Sequence, residues 1–264
     1  MDAATEAAQG LRRAPAAMAG PGAAGLAEKR RQLWFTVGAA LASSLMLFST
    51  TYETRWISTY LGKSQFEAYS VAHSAIFYLG PLRNLWSGVT SKVARAVGQK
   101  DDVAVSKLIK QCGYVTGLAF ALTWLFYGPF GPWLLRSVYQ ADDDIYPYAL
   151  PYLRARTLGE GSVQYFQEAG VGIIQGLQGL KLYLGVQVWT ALFSVVGEWF
   201  VIVLMQWDLV WDGIIRIFRE GMGMVFCMVW AWWFVNRVPG NKHRFAPRAA
   251  KLERADWKAF LGVA

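Results

Sequence analysis

The chain has 264 residues, 55% of them hydrophobic and 15% aromatic, with a mean hydropathy of +0.25. Charged residues make up only 17%, against about 25% in a typical soluble domain, and they are clustered. That excludes an ordinary water-soluble fold, and the placement of the +8 net charge argues against a nucleic-acid partner.

A spanning helix needs roughly 20 mostly apolar residues. Six such runs occur, at 33–52, 68–91, 111–135, 145–179, 182–206 and 213–235. They predict an all-α polytopic membrane protein with six transmembrane helices in one bundle. Residues 1–30, rich in Ala and Gly with Pro15 and Pro21, read as a flexible cytoplasmic tail without the apolar h-region of a cleaved signal. The membrane domain covers 31–236. Residues 237–264 form a basic cytoplasmic tail whose stretch ERADWKAFLGV suits a short amphipathic helix on the inner surface.

Helix one carries Gly38, Ala39, Ala42, Ser43 and Ser44, small residues that allow close helix packing in lipid. At its end Glu53 is either an interfacial acid beside Arg55 or, if the helix extends, an acid at membrane depth. Helix two holds an isolated histidine, His73, read as a packed side chain with proton handling as the alternative, and an expected kink at Gly80-Pro81. In helix three, Gly128-Pro129 and Gly131-Pro132 are expected to break the helix near the non-cytoplasmic surface.

Helix four opens PYLRARTLGEGSVQYFQEAG, with two arginines and two glutamates in a membrane-length run. Residues four apart share a helix face, so Arg156, Glu160, Gln164 and Glu168 align, and Gln175 and Gln178 continue the row with Gln167 at its border. An ionised residue at mid-bilayer costs about 2.5–3.5 kcal/mol on insertion scales, so Arg154, Arg156, Glu160 and Glu168 are expected to face a polar interior. Either the row is an ion-pair ladder, with Arg156 spaced to meet Glu160, or it walls a hydrated cavity. Helix five buries Glu198, with Ser194 one turn earlier, as a proton or cation site or as the partner of an arginine from another helix. Helix six bears Arg216, Arg219 and Glu220, expected to snorkel and pair at its outer end.

With a cytosolic N-terminus, eighteen of the 26 basic residues fall in the two tails, the loop after helix two and the turn before helix five. Only Arg55, Lys63 and Arg136 fall on the other side. This is the positive-inside pattern of an even number of spans with both termini cytoplasmic, and it brings basic residues near anionic lipid. Cys112 and Cys227 make no metal or disulfide pattern. No nucleophile–base arrangement or phosphate-cradling loop points to an enzyme, and no cofactor is expected.

Several segments resemble the multidrug and toxic compound extrusion (MATE) transporters. YETRWISTYLGKSQFEAYSVAHS resembles the family's end of helix one and start of helix two. VARAVGQKDDVAVSKLIKQC resembles its loop between helices two and three, and YALPYLRARTLGEGSVQYFQEAGVGIIQGLQGLKLYLGV its helix-four region. SVVGEWFVI resembles its Asn-x-x-x-Asp stretch in helix five, with Ser194 in place of the asparagine. The resemblance implies export of organic or xenobiotic small molecules, coupled to H+ or Na+, with Glu53 and Glu198 at the family's acidic positions. The usual proline after Leu-Gly is absent, since Glu160 follows Gly159. The family has two six-helix lobes, so the resemblance covers the N-terminal lobe and implies a homodimer, a second-lobe partner or a truncated product. A non-transporting assembly component and a lipid-linked sugar flippase of the same superfamily are the alternatives, the latter left open by Arg154, Arg156, Arg216 and Arg219.

Overall fold

The computed structural model describes residues 51–77, 88–159, 163–177, 180–237 and 250–261, together with 30, 33, 36–38, 40, 41, 44, 45, 47 and 48. Contacts divide the chain into two units, Met1–Ala42 and Ser43–Ala264. In the first unit the described positions from 30 to 41 are helical. The second unit contains all the elements that follow.

Its elements are all helices, with no strand among the described residues. The first helix, α1 (51–61), ends in a π-helical turn, Ile57–Leu61, closed by Gly62 at φ 87°. Then come α2 (Lys63–Phe77), α3 (Val89–Gly98), α4 (Asp102–Trp133), α5 (Tyr146–Leu158), α6 (Gln164–Gly176), α7 (Leu180–Glu198), α8 (Leu209–Arg237) and α9 (Arg254–Leu261). Both α4 and α7 run on into π-helical turns, Leu134–Val138 and Trp199–Leu204. Gln140 and Gln206, at φ 50° and 51°, follow those turns as Gly62 follows the first. A left-handed residue just past a helix end leaves the last carbonyls bonded; Ala141 N–H reaches the Leu135 carbonyl and Trp207 N–H the Val201 carbonyl.

Two described helices, Asp102–Val138 and Leu182–Leu204, are individually long and apolar enough to cross a membrane. The 29-residue α8 falls short on apolarity because Asp212, Arg216, Arg219 and Glu220 lie along it. Helix three begins earlier than its apolar run, with Asp101 capping the N-terminus through the Ala104 N–H at 2.9 Å.

The expected break at Gly128-Pro129 and Gly131-Pro132 does not occur. Pro129 and Pro132 lie inside α4, which continues past them. A proline frees the carbonyl four residues earlier; for Pro132 that carbonyl is Gly128 O, which accepts from Arg154 of α5 at 3.5 Å. The neighbouring helix thus supplies a donor for the freed group. The Gly80-Pro81 kink lies outside the described residues.

Packing places α8 against α5, α6 and α7, α2 against α5, and α3 against α6. Close approach depends on missing side chains: a Cβ at Gly213 would lie 2.8 Å from Ala155 Cβ and 3.3 Å from Arg156 N. One at Gly176 would lie 2.5 Å from Val93 Cβ. An apolar core of Ile57, Tyr69, Leu135, Tyr152, Leu153 and Ile202 fills one half of the bundle. Val89, Val93, Cys112, Tyr165 and Phe260 fill the end where α3 meets α4. Both cysteines are buried free thiols, and His73 stacks on Tyr69 at 5.5 Å.

Candidate functional site

At the junction of α1, α5, α7 and α8, charges gather where hydrocarbon is expected. Glu53, Glu198 and Asp212 are fully inaccessible, and Glu220, Arg219, Arg156 and Arg216 are 2%, 3%, 3% and 6% exposed. A charge moved out of water needs an opposite charge and satisfied hydrogen bonds, and here Arg216 and Arg219 each serve more than one acid while Arg156 serves Glu53 and a tyrosine hydroxyl. Arg216 Nη2 lies 2.5 Å from Glu53 Oε2 and 3.2 Å from Glu198 Oε1, while its Nε lies 3.4 Å from Asp212 Oδ2. Arg156 Nη1 is 3.5 Å from Glu53 Oε1 and also donates to the Tyr152 hydroxyl. That hydroxyl donates in turn to Asp212 Oδ2 at 3.1 Å. Arg219 donates to Ser194 Oγ at 2.6 Å and to Glu220 through Nε and Nη2 at 2.8 and 2.5 Å. Its Nη1 also lies 3.8 Å from Glu198. The rings of Tyr69 and Tyr152 each stand 5.6 Å from the Arg156 guanidinium carbon, a favourable cation–π distance.

The fold brings these groups together by helix spacing. Asp212 and Arg216 are one turn apart on α8, as Tyr152 and Arg156 are on α5 and Ser194 and Glu198 on α7. Gln65 of α2 fixes the start of α8 by accepting from the Leu209 N–H at 2.7 Å. Gly213 allows α8 to lie close enough to α5 for Arg156 and Asp212 to share Tyr152.

Of the residues expected at the site, the structure unites Glu53, Arg156, Ser194 and Glu198. Glu53 is not interfacial: it is enclosed by arginines from α5 and α8. Arg216, Arg219 and Glu220 do not snorkel outward, since all three are buried and paired. The helix-four row does not stay together. Gln164 donates to Glu168 at 2.8 Å, both half-buried on α6, and Gln175 accepts from the Thr90 hydroxyl of α3 at 3.2 Å. Gln167 lies between the Thr190 hydroxyl at 3.2 Å and the Glu220 carboxylate, and turning its amide over lets it donate to Glu220 and accept from Thr190. Glu160 and Gln178 lie outside the described residues. Arg154 faces outward, against the expectation of a shared interior, because its head is drawn to Gly128 O. The four arginines therefore line no common basic cavity. Asp212 and Tyr152 went unnoticed in the sequence; the i, i+4 pairs Asp212/Arg216 and Tyr152/Arg156 were the signal for both.

A protein-family profile, MatE, matches residues 39–200, well over half of the chain. This protein belongs to the MatE family. The solved structures agree on the fold. A crystal structure of a MATE point mutant matches with a TM-score of 0.74 at 18% identity, over 87% of this chain and 50% of the other. An outward-facing multidrug resistance MATE transporter of the MOP superfamily matches at 0.66 and 19%, over 86% and 49%. A MOP superfamily transporter from Pyrococcus furiosus, described as having a binding pocket of reversed polarity, matches at 0.69 and 18%, over 87% and 49%. This chain therefore spans about half the length of the structures it matches. No curated protein matches it significantly. Family membership makes the MatE chain a multi-pass membrane protein and points to transport rather than enzymatic catalysis.

Proposed function

We propose that the chain is one lobe of a secondary active transporter that exports organic or xenobiotic small molecules in exchange for H+ or Na+. The observation that carries this reading is a buried cluster of acids that share arginines. Among the described residues the buried cluster sets four carboxylates (Glu53, Glu198, Asp212, Glu220) against three guanidinium groups (Arg156, Arg216, Arg219). Keeping several neighbouring carboxylates ionised away from water is costly, and a proton or a monovalent cation relieves that cost. Glu53 and Glu198, which share Arg216, hold that cation, and Ser194 steadies Arg219 beside them. Gln164, Glu168 and Gln175, with Glu160, serve the substrate path. Transporters commonly place their site where two repeats meet, so the second wall comes from another lobe or a second copy of this chain. Both termini lie in the cytoplasm, following the basic-residue asymmetry.

The test is reconstitution of the purified chain in liposomes with an imposed proton or sodium gradient and a fluorescent organic cation. Gradient-driven movement is expected, with about tenfold loss on Glu198→Gln, in line with removal of a coupled charge. Unchanged movement in Glu198→Gln sinks the coupling role. The pairing of Glu53 and Glu198 with arginines favours a second reading, a non-transporting lobe retained for assembly. Under it the wild type moves no solute under either gradient, and Glu198→Gln alters thermal stability alone.

A further inference from the structure

At the other end of the bundle, α9 folds back over the junction of α3 and α4. Lys92 donates to the carbonyls of Ala259, at 3.3 Å, and Phe260, and its ammonium lies 5.1 Å from the Phe260 ring. Lys107 meets Asp256 at 3.0 Å, and Lys110 donates to the Ala250 carbonyl at 2.7 Å. Asp256 Oδ2 also accepts from the Glu253 N–H at 2.7 Å. Beneath this clasp lies a cavity of about 310 Å³ whose polar walls are Lys92, Arg95, Gln99, Lys107, Gln111 and Asp256.

Three features of this cavity point to an anion. Its walls carry three cations against one carboxylate, and that carboxylate is engaged by Lys107 and the Glu253 N–H. Arg95 is exposed and has no ion-pair partner among the described residues. Gln111 is only 2% exposed, yet its amide nitrogen has no hydrogen-bond partner. A buried donor left unmade costs about 1–3 kcal/mol, so a ligand acceptor at this wall has something to gain. A forked guanidinium, an ammonium and an amide N–H together match the several oxygens of a phosphate group. Ala96, Leu108 and Phe260 give the same cavity an apolar side.

We propose that this cavity binds a net-anionic phosphate group, one whose charge no choline cation offsets, with Arg95 and Gln111 as its principal contacts and α9 as its cover. The group comes from a phospholipid headgroup or from a phosphorylated solute. The site stands apart from the buried ion-pair cluster and does not depend on transport.

The experiment is native mass spectrometry of the full chain in detergent, with phosphatidylglycerol, phosphatidylcholine or inorganic phosphate added. Wild-type protein should retain phosphatidylglycerol about tenfold better than phosphatidylcholine, a preference worth about 1.4 kcal/mol. Arg95→Gln and Gln111→Met should each erase most of that preference, whereas Lys100→Asn, outside the cavity, should leave it intact. Resistance to millimolar inorganic phosphate identifies a lipid headgroup; displacement by it identifies a soluble phosphate ligand. Equal retention of both lipids with no phosphate adduct overturns the proposal. So does retention by Arg95→Gln and Gln111→Met equal to wild type, or equal loss in Lys100→Asn, which would reduce the effect to general basicity.

Discussion

The MatE chain handles charge in two contrasting ways. At the α1–α5–α7–α8 junction Arg156, Arg216 and Arg219 are enclosed and paired with acids, and Arg216 and Arg219 are each shared between more than one. At the α3–α4 end the basic side chains stay partly wet, with Lys107 and Asp256 at 26% and 21% side-chain exposure. Residue types are similar and pair distances overlap, yet the surroundings differ. Water screens the outer pairs, while the enclosed ones meet a low dielectric in which an unmatched charge is far more costly. Proximity alone says little about what a pair contributes; its access to water decides.

The largest expected effect breaks the enclosed side. Arg216→Leu would leave four carboxylates facing two guanidinium groups and should cost about 3–5 kcal/mol, read as a fall in thermal stability in detergent. Adding Glu53→Gln to that variant removes one of the stranded acids. The pair should show a coupling of about 0.5–3 kcal/mol in a double-mutant cycle, and strict additivity would mean that Arg216 and Glu53 do not interact. Next in size is Gly213→Ala, which places a methyl group 2.8 Å from Ala155 Cβ. Forcing α8 away from α5 should cost about 1–3 kcal/mol; no loss would mean that the helices part easily.

The smallest effects belong to the wet side. Lys107→Gln should cost at most about 1 kcal/mol and lose its effect in high salt. Asp256 sharpens the same point through pH. The Glu253 N–H, and then Lys107, hold its carboxyl below the ordinary 3.8. A depressed carboxyl stabilises the fold above its unfolded value and loses that contribution as pH falls through its folded value. Attachment of α9, followed by limited proteolysis near residue 250, should therefore weaken only below about pH 4.

Membrane class and helical fold were legible because hydrocarbon thickness imposes a length on apolar runs, and α7 announces itself in that way. The ends of α3 and α4 were less so: Lys92, Arg95, Lys107 and Lys110 read as the loop after helix two and its flanks, although helix geometry persists beyond the apolar stretch. The prolines of α4 misled because the remedy for Pro132 sits 26 residues from Gly128, at Arg154. Glu198 stood out as an acid inside an apolar run. Its companions Asp212 and Arg216 did not, because side-chain spacing along one helix cannot reveal which neighbour it will face. The helix-four row failed for a related reason: identical spacing on α5 and α6 carried Arg156 to one set of neighbours and Gln175 to another.

Arg216 is a counter-ion that cannot diffuse away. Its charge is tethered to the backbone of α8, and it spans acids carried by α1, α7 and its own helix. A free ion could swap places with another while the helices stood still. If Glu53 and Glu198 hold a cation as proposed, its exchange requires the guanidinium to swing aside, and so entails a movement of the Arg216 side chain or of the helix that carries it.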